Sequence, residues 1–91
     1  MGKYKLNRKA AQDLYGIYEY GLERYGERQA DNYYRAFFVR FEQIAQTPYR
    51  YPAADHIREG YRRTVCGRDT VYFRIAADGV EIMRVVGRQD F

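Results

Sequence analysis

The sequence predicts an α+β fold: a short N-terminal strand, an antiparallel helical hairpin packed on one face of an antiparallel sheet, and a three-strand meander that ends that sheet. Three observations predict it. Apolar residues recur at helical spacing on both sides of Gly26. They alternate at strand spacing after residue 60. Asp78-Gly79, between two alternating stretches, is a two-residue hairpin signal.

Each element has its own reason. Tyr4 and Leu6 alternate with Lys3 and Lys5, which makes a short strand apolar on one face, and Asn7 is placed to cap the helix that follows. From Arg8 to about Tyr25 the stripe is Ala11, Leu14, Tyr15, Tyr18, Leu22 and Tyr25. Gly26 stands where a helix ends with positive φ, while Gly16 and Gly21 inside the helix each cost up to ~1 kcal/mol against Ala. The second helix, from about Glu27 to Gln46, carries Ala30, Tyr34, Phe37, Phe41 and Ile44, widened by Tyr33, Phe38 and Ala45. Only Gly26 separates the helices, so they pack as a hairpin, and Pro48 ends the second. Residues 47–60 read as an ordered surface connector that contains the single histidine, His56, expected to be solvated.

The strands are expected at 61–66, 70–76 and 80–86, with Gly67-Arg68-Asp69 as the first turn. With Asp78 and Gly79 as the second turn, Phe73 faces Arg84, Ile75 faces Ile82 and Val71 faces Val86 on the helix side. The other face then holds Tyr72, Arg74, Glu81, Met83 and Val85, half apolar and uncovered, which asks for a partner.

Composition bounds the rest. Ninety-one residues make one domain, 1–91, able to fold alone with modest stability. One cysteine, Cys66, allows no internal disulfide and is expected as a small buried or strand-edge hydrophobe. No stretch approaches the ~20 apolar residues of a membrane span and no secretory signal is evident, so a cytoplasmic protein without a membrane partner is expected. One histidine and one cysteine make no metal site, and no cofactor is implied. The net charge of +4 sits entirely in residues 1–10, where Lys3, Lys5, Arg8 and Lys9 meet no acid; the remaining cations and acids balance. That distribution argues against sequence-specific nucleic-acid binding. Arginine outnumbers lysine 13 to 3 and accompanies eleven tyrosines, an interface composition in which the tyrosines also serve as core.

On these residues the chain resembles the ParE toxins of the RelE/ParE superfamily. The first helix carries Ala10, Asp13, Leu14, Ile17 and Tyr20; the helical turn carries Tyr25, Gly26, Gln29, Ala30 and Tyr33. Pro48, Tyr51 and Pro52 follow, then Gly60-Tyr61-Arg62-Arg63, Val71-Tyr72-Phe73-Arg74-Ile75 and Gly87-Arg88-Gln89-Asp90. The resemblance covers nearly the whole chain, and it lies in the order and spacing of these stretches. It implies the toxin of a type II toxin–antitoxin module, neutralised by an acidic cognate antitoxin partly disordered before binding. ParE relatives poison DNA gyrase; RelE relatives cleave messenger RNA on the ribosome.

RNA cleavage needs a positioned proton-transfer group beside cations that hold phosphate charge. The cations are present, but Val86 precedes Gly87 where ribonuclease relatives tend to carry His or Tyr, and only Tyr72 could substitute. The expected reading is therefore a non-enzymatic gyrase poison, with the endoribonuclease as the alternative. Arg68, Arg74, Arg84, Arg88, Asp90 and Phe91 are the expected target-inhibition residues, and Tyr33, Phe38, Tyr72, Met83 and Val85 the expected antitoxin contacts.

Overall fold

The computed structural model describes residues 2–87. Strand β1 (Tyr4–Leu6) leads into helices α1 (Arg8–Tyr25) and α2 (Glu27–Gln46), and a 3₁₀ turn at Pro48–Arg50 precedes β2 (Tyr61–Cys66), β3 (Asp69–Ala76) and β4 (Gly79–Gly87). The sheet order is β1-β4-β3-β2. The three C-terminal strands form the expected antiparallel meander, and β1 pairs parallel to β4, so the sheet is mixed. The helical hairpin lies on one face of it.

The helix ends follow the local chemistry. The Asn7 side chain accepts the Lys9 N–H at 2.9 Å, and the Asn7 backbone N–H donates to the Ile82 carbonyl, so one residue caps α1 and ties it to β4. Gly26 takes φ 90° between the helices, a region other residues avoid. The hairpin closes tightly because Gly21 lies against Ala30, where an added Cβ would come within 3.3 Å of the alanine methyl. Tyr18 donates to Asp31 at 2.6 Å and meets Tyr34 edge-on.

The core under the helices is Ala10, Leu14, Phe37, Phe41, Ile44, Ala45, Cys66, Val71, Phe73, Val80, Ile82 and Val85. Full burial of such a side chain contributes about 1.5–3 kcal/mol, so Phe37, Phe41 and Phe73 anchor the fold. The buried face of α1 is rotated from the expected stripe. It runs through Ala10, Leu14 and the half-buried Ile17, whereas Ala11, Tyr15, Leu22 and Tyr25 are exposed. Tyrosine rings made the sequence stripe look wider than the surface the sheet covers. His56 is exposed and Cys66 is buried, as expected.

The hairpin register differs from the expected one. Ala77 and Asp78 form the turn and Gly79 already pairs with Ala76, so Phe73 faces Ile82, Arg74 faces Glu81 and Ile75 faces Val80. Gly79 belongs to the strand because the Lys3 backbone passes against it, where no Cβ would fit, and the neighbouring Val80 N–H donates to the Lys3 carbonyl. A second shift follows between Tyr72 and Phe73, where Met83 is the extra residue; beyond it Tyr72 faces Arg84, Val71 faces Val85 and Thr70 faces Val86. The bulge exchanges the two faces. Val85 turns into the helix-side core and Val86 turns away from it, the reverse of the expectation.

The second sheet face is not uncovered. Ala54 and Ile57 of the connector lie over Tyr61, Tyr72, Met83 and Val86. The connector is held there by bonds from Ala54 N–H to the Tyr61 carbonyl and from Arg63 N–H to the Pro52 carbonyl.

At the β1 end, Glu81 accepts from Asn7 and from Arg74. These bonds, Asn7 first and Arg74 second, hold its carboxyl below the usual range. A depressed folded pKa contributes stability above the unfolded value of about 4.3, lost as pH falls through the folded one. Glu81→Gln should therefore flatten the acid limb of the stability curve. Urea midpoints from neutral to acid pH should show a difference below about 1 kcal/mol, and identical limbs would show that the pair contributes nothing.

Candidate functional site

Past Leu6 the chain leaves β1 for α1, and the last residues of β4 run on without that neighbour. Asp13, the motif residue one turn into α1, fills the place. Its carboxylate accepts the Arg84 guanidinium twice, at 2.8 and 3.1 Å, and the Val85 backbone N–H at 2.9 Å. One acid thus satisfies a strand-edge donor and neutralises a half-buried arginine. The bonds that Arg84 donates to Asp13 hold its pKa above the ordinary value.

A second network stands opposite. The Tyr33 hydroxyl lies 2.7 Å from an Asp69 carboxylate oxygen and 3.1 Å from the Cys66 carbonyl, and it accepts the Arg68 N–H at 2.9 Å. Burial first, and the Asp69 bond second, push its pKa far above that of a free tyrosine, so it stays protonated. Its ring covers Gly67, which takes φ 64° where an added Cβ would overlap the ring. The β2–β3 turn is thereby pinned to α2, and Arg68 reaches the Tyr25 hydroxyl at 3.1 Å.

Between the two networks lies an open groove. Its walls include Gly16, Ile17, Tyr20 and Tyr25 of α1 and Gln29 and Tyr33 of α2; Arg68, Asp69 and the end of β4 from Arg84 to Gly87 complete it. Its volume of about 1240 Å³ exceeds the ~300–1,000 Å³ of small-molecule sites. Gly16 leaves the α1 wall low, with open space where a Cβ would stand. Tyr20 and Tyr25 are about half exposed along it.

The structure therefore brings together Arg68, Arg84, Tyr33 and Val85 of the expected site residues. Arg74 is remote from them, paired with Glu81 at 2.7 Å. Phe38 packs against the helix-side core and meets Tyr34 and Phe41 edge-on. Tyr72 is buried and Met83 packs beside it, both on the connector side, so neither stands on the open surface expected of it. Val85 is buried as well and contributes to the groove floor. Arg88, Asp90 and Phe91 lie outside the described residues. Sequence reasoning left out Asp13 and Tyr25 as site residues, although both stood in the motif stretches. The signal for Asp13 was an acid on the helix face that otherwise carries Ala10 and Ile17.

Among the described residues no group of three or more His, Cys, Asp or Glu is placed to hold a metal ion, and no helix is long and apolar enough to cross a membrane.

Comparison with known proteins agrees with this architecture. The model of the ParE toxin of the type II toxin–antitoxin system, parDE, matches residues 4–90. A protein named Toxin ParE1 from Caulobacter vibrioides is 37% identical over 86 residues, covering 94% of this chain and 88% of its own length. Another Toxin ParE1, from Mycobacterium tuberculosis, is 31% identical over 85 residues, covering 92% and 87%. A solved structure described as the chromosomal ParDE TA system from P. aeruginosa superposes with a TM-score of 0.83 over 96% of both chains, at 21% identity, and shares the fold. With nearly its whole length matched, this chain belongs to the ParE toxin family of type II toxin–antitoxin systems.

Proposed function

We propose that this protein acts by binding, with DNA gyrase as its target, and that a cognate antitoxin neutralises it by laying an acidic segment in the groove between the helical hairpin and the end of β4. The observation that carries the antitoxin part is the groove itself. It is roomier than a small-molecule site, half-exposed tyrosines line it, and Arg68 faces it bonded to the Tyr25 hydroxyl. Asp13 is neutralised by Arg84, which leaves Arg68 to meet a carboxylate on the incoming chain. Tyrosine and arginine at a groove are the residue types that carry most binding energy in protein interfaces.

The gyrase part rests on family membership. The aromatic group that a ribonuclease reading needs, Tyr72, is buried on the connector side, and this favours the binding reading over the catalytic one. Target inhibition is assigned to Arg84 and to Arg88, Asp90 and Phe91, which follow the groove-lining Gly87 in sequence.

Induction in bacterial cells tests the target. Filamentation with a DNA-damage response is the expected result; prompt loss of protein synthesis would replace this reading with the ribonuclease. Deleting residues 89–91 should leave the fold and antitoxin affinity nearly unchanged and relieve toxicity. Undiminished toxicity at equal abundance would move the effector surface elsewhere.

A further inference from the structure

We infer that the edge of the molecule formed by β1 and the first turn of α1 is a second binding surface, one that takes the phosphate backbone of a nucleic acid without reading its sequence. The inference is independent of the groove. It starts from the segregation of charge: Lys3, Lys5, Arg8 and Lys9 are the only charged residues among the first ten, and the three lysines are all the lysines in the chain. The fold holds both halves of this cluster beside one edge of the sheet, Lys5 on the strand face opposite the core-packed Tyr4 and Leu6, and Arg8 and Lys9 at the start of the helix. β1 is an outer strand of the sheet, and α1 begins two residues after it ends. All four side chains are exposed.

The described residues do not neutralise them. The two ion pairs there are Arg74–Glu81 and Arg84–Asp13, and neither uses a patch residue. Glu81 lies close enough to Lys5 to feel its charge, but its oxygens are bonded to Arg74 and Asn7. Nor does helix stability explain the placement. Arg8 and Lys9 stand in the first turn of α1, which holds no acid. Cations there oppose the helix dipole and cost about 0.3–1 kcal/mol each.

The chemistry of the patch selects its partner. A protein interface has an apolar or aromatic centre and is depleted in lysine. The exposed large hydrophobics of the described residues all lie outside it, from Tyr15 onward, while Tyr4 and Leu6 pack on the core. Three ammonium groups and one guanidinium without exposed apolar companions suit phosphates. Lys3 and Lys5 lie about 6.6 Å apart along the strand, and the duplex phosphates of one strand advance about 3.4 Å each. The alternative use of edge lysines is to block strand addition to β1.

Salt dependence distinguishes these. The full chain is titrated into labelled duplex DNA of arbitrary sequence, with duplex RNA as a parallel arm, by fluorescence anisotropy between about 50 and 200 mM salt. If all four cations engage, the log–log slope on DNA should be about −3.6, roughly a 10²-fold loss of affinity over that range. Binding to either duplex with a slope of that order is the expected result. The Lys3→Gln/Lys5→Gln/Arg8→Gln/Lys9→Gln variant, its fold checked by circular dichroism, should bind at least about tenfold more weakly at low salt with a slope near zero. Should that variant misfold, the two double variants, Lys3→Gln/Lys5→Gln and Arg8→Gln/Lys9→Gln, should each halve the slope.

The proposal fails if the native chain binds neither duplex at low salt, or if the folded variants keep its slope. It fails in favour of an acidic polypeptide if poly-glutamate displaces DNA at equal charge. Aggregation of the variants without DNA binding by the native chain would assign the lysines to protection of the strand edge.

Discussion

Asp13→Ala should lower stability by about 2–4 kcal/mol, an effect far larger than a surface acid usually has. The carboxylate is the shared acceptor of three bonds, two from Arg84 and one from the Val85 backbone. The side chains of the pair are only 16% and 29% exposed, for Asp13 and Arg84, so water repairs the loss poorly. Removing one partner of a buried pair costs about 3–5 kcal/mol, and partial exposure reduces that. An unsatisfied backbone N–H adds about 1–3 kcal/mol where water cannot reach it. For a chain of this size each kcal/mol lowers Tm by about 4–8 °C, so the melting point should fall by more than 8 °C. Arg84→Met in the same background separates the terms. The double variant should recover part of the loss, because it no longer carries a guanidinium deprived of the Asp13 carboxylate. Asp13→Ala within about 0.5 kcal/mol of the native chain would mean that solvent replaces all three bonds, and the groove floor would lose its account.

The same residue shows where the sequence was readable. Both helices, the Asn7 cap and Gly26 between them follow from short-range chemistry, in which a side chain acts on backbone within four residues, and they stand where the periodicity put them. The core phenylalanines of α2 were legible for the same reason. Asp13 was not, because its partners are 71 and 72 residues away in sequence and strand edges leave no local mark. The face of β4 was not legible either. Val85 and Val86 are both apolar, so alternation is silent about which of them points inward, and the bulge at Met83 decides it. The turn position depended on Lys3 passing Gly79, a contact between opposite ends of the chain. The connector carries neither period, and its cover over Tyr72 rests on Ala54 and Ile57, whose isolation in sequence hid their common role. That cover removed the reason to expect a partner on the second sheet face.

On the opposite side of that groove, Gly67→Ala should cost about 3 kcal/mol, and the origin of the cost can be divided by experiment. Gly67 takes φ 64°, where any other L-residue is strained by roughly 1–2 kcal/mol. The added methyl would also occupy the place of the Tyr33 ring, whose hydroxyl and two nearest ring carbons lie within 2.8 Å of it. Tyr33 must then swing away, giving up the bond its single proton makes to Asp69, the longer contact with the Cys66 carbonyl, and the bond it accepts from the Arg68 N–H. Hydrogen bonds of this kind contribute about 1 kcal/mol each, and more to a charged partner. Tyr33→Phe keeps the ring and removes only the hydroxyl, and should cost about 2 kcal/mol by itself. The two variants also predict different fates for the groove. After Tyr33→Phe the ring still covers the turn, and Arg68 still reaches Tyr25; after Gly67→Ala the turn is released from α2 and Arg68 loses its fixed position. Antitoxin affinity should therefore fall further in Gly67→Ala than in Tyr33→Phe. Combining Gly67→Ala with Tyr33→Ala closes the cycle. If displacement of the ring dominates, the glycine substitution should become about 1–2 kcal/mol cheaper once the ring is gone. If its cost is unchanged in the Tyr33→Ala background, backbone strain alone is responsible, and Tyr33 does not hold the turn.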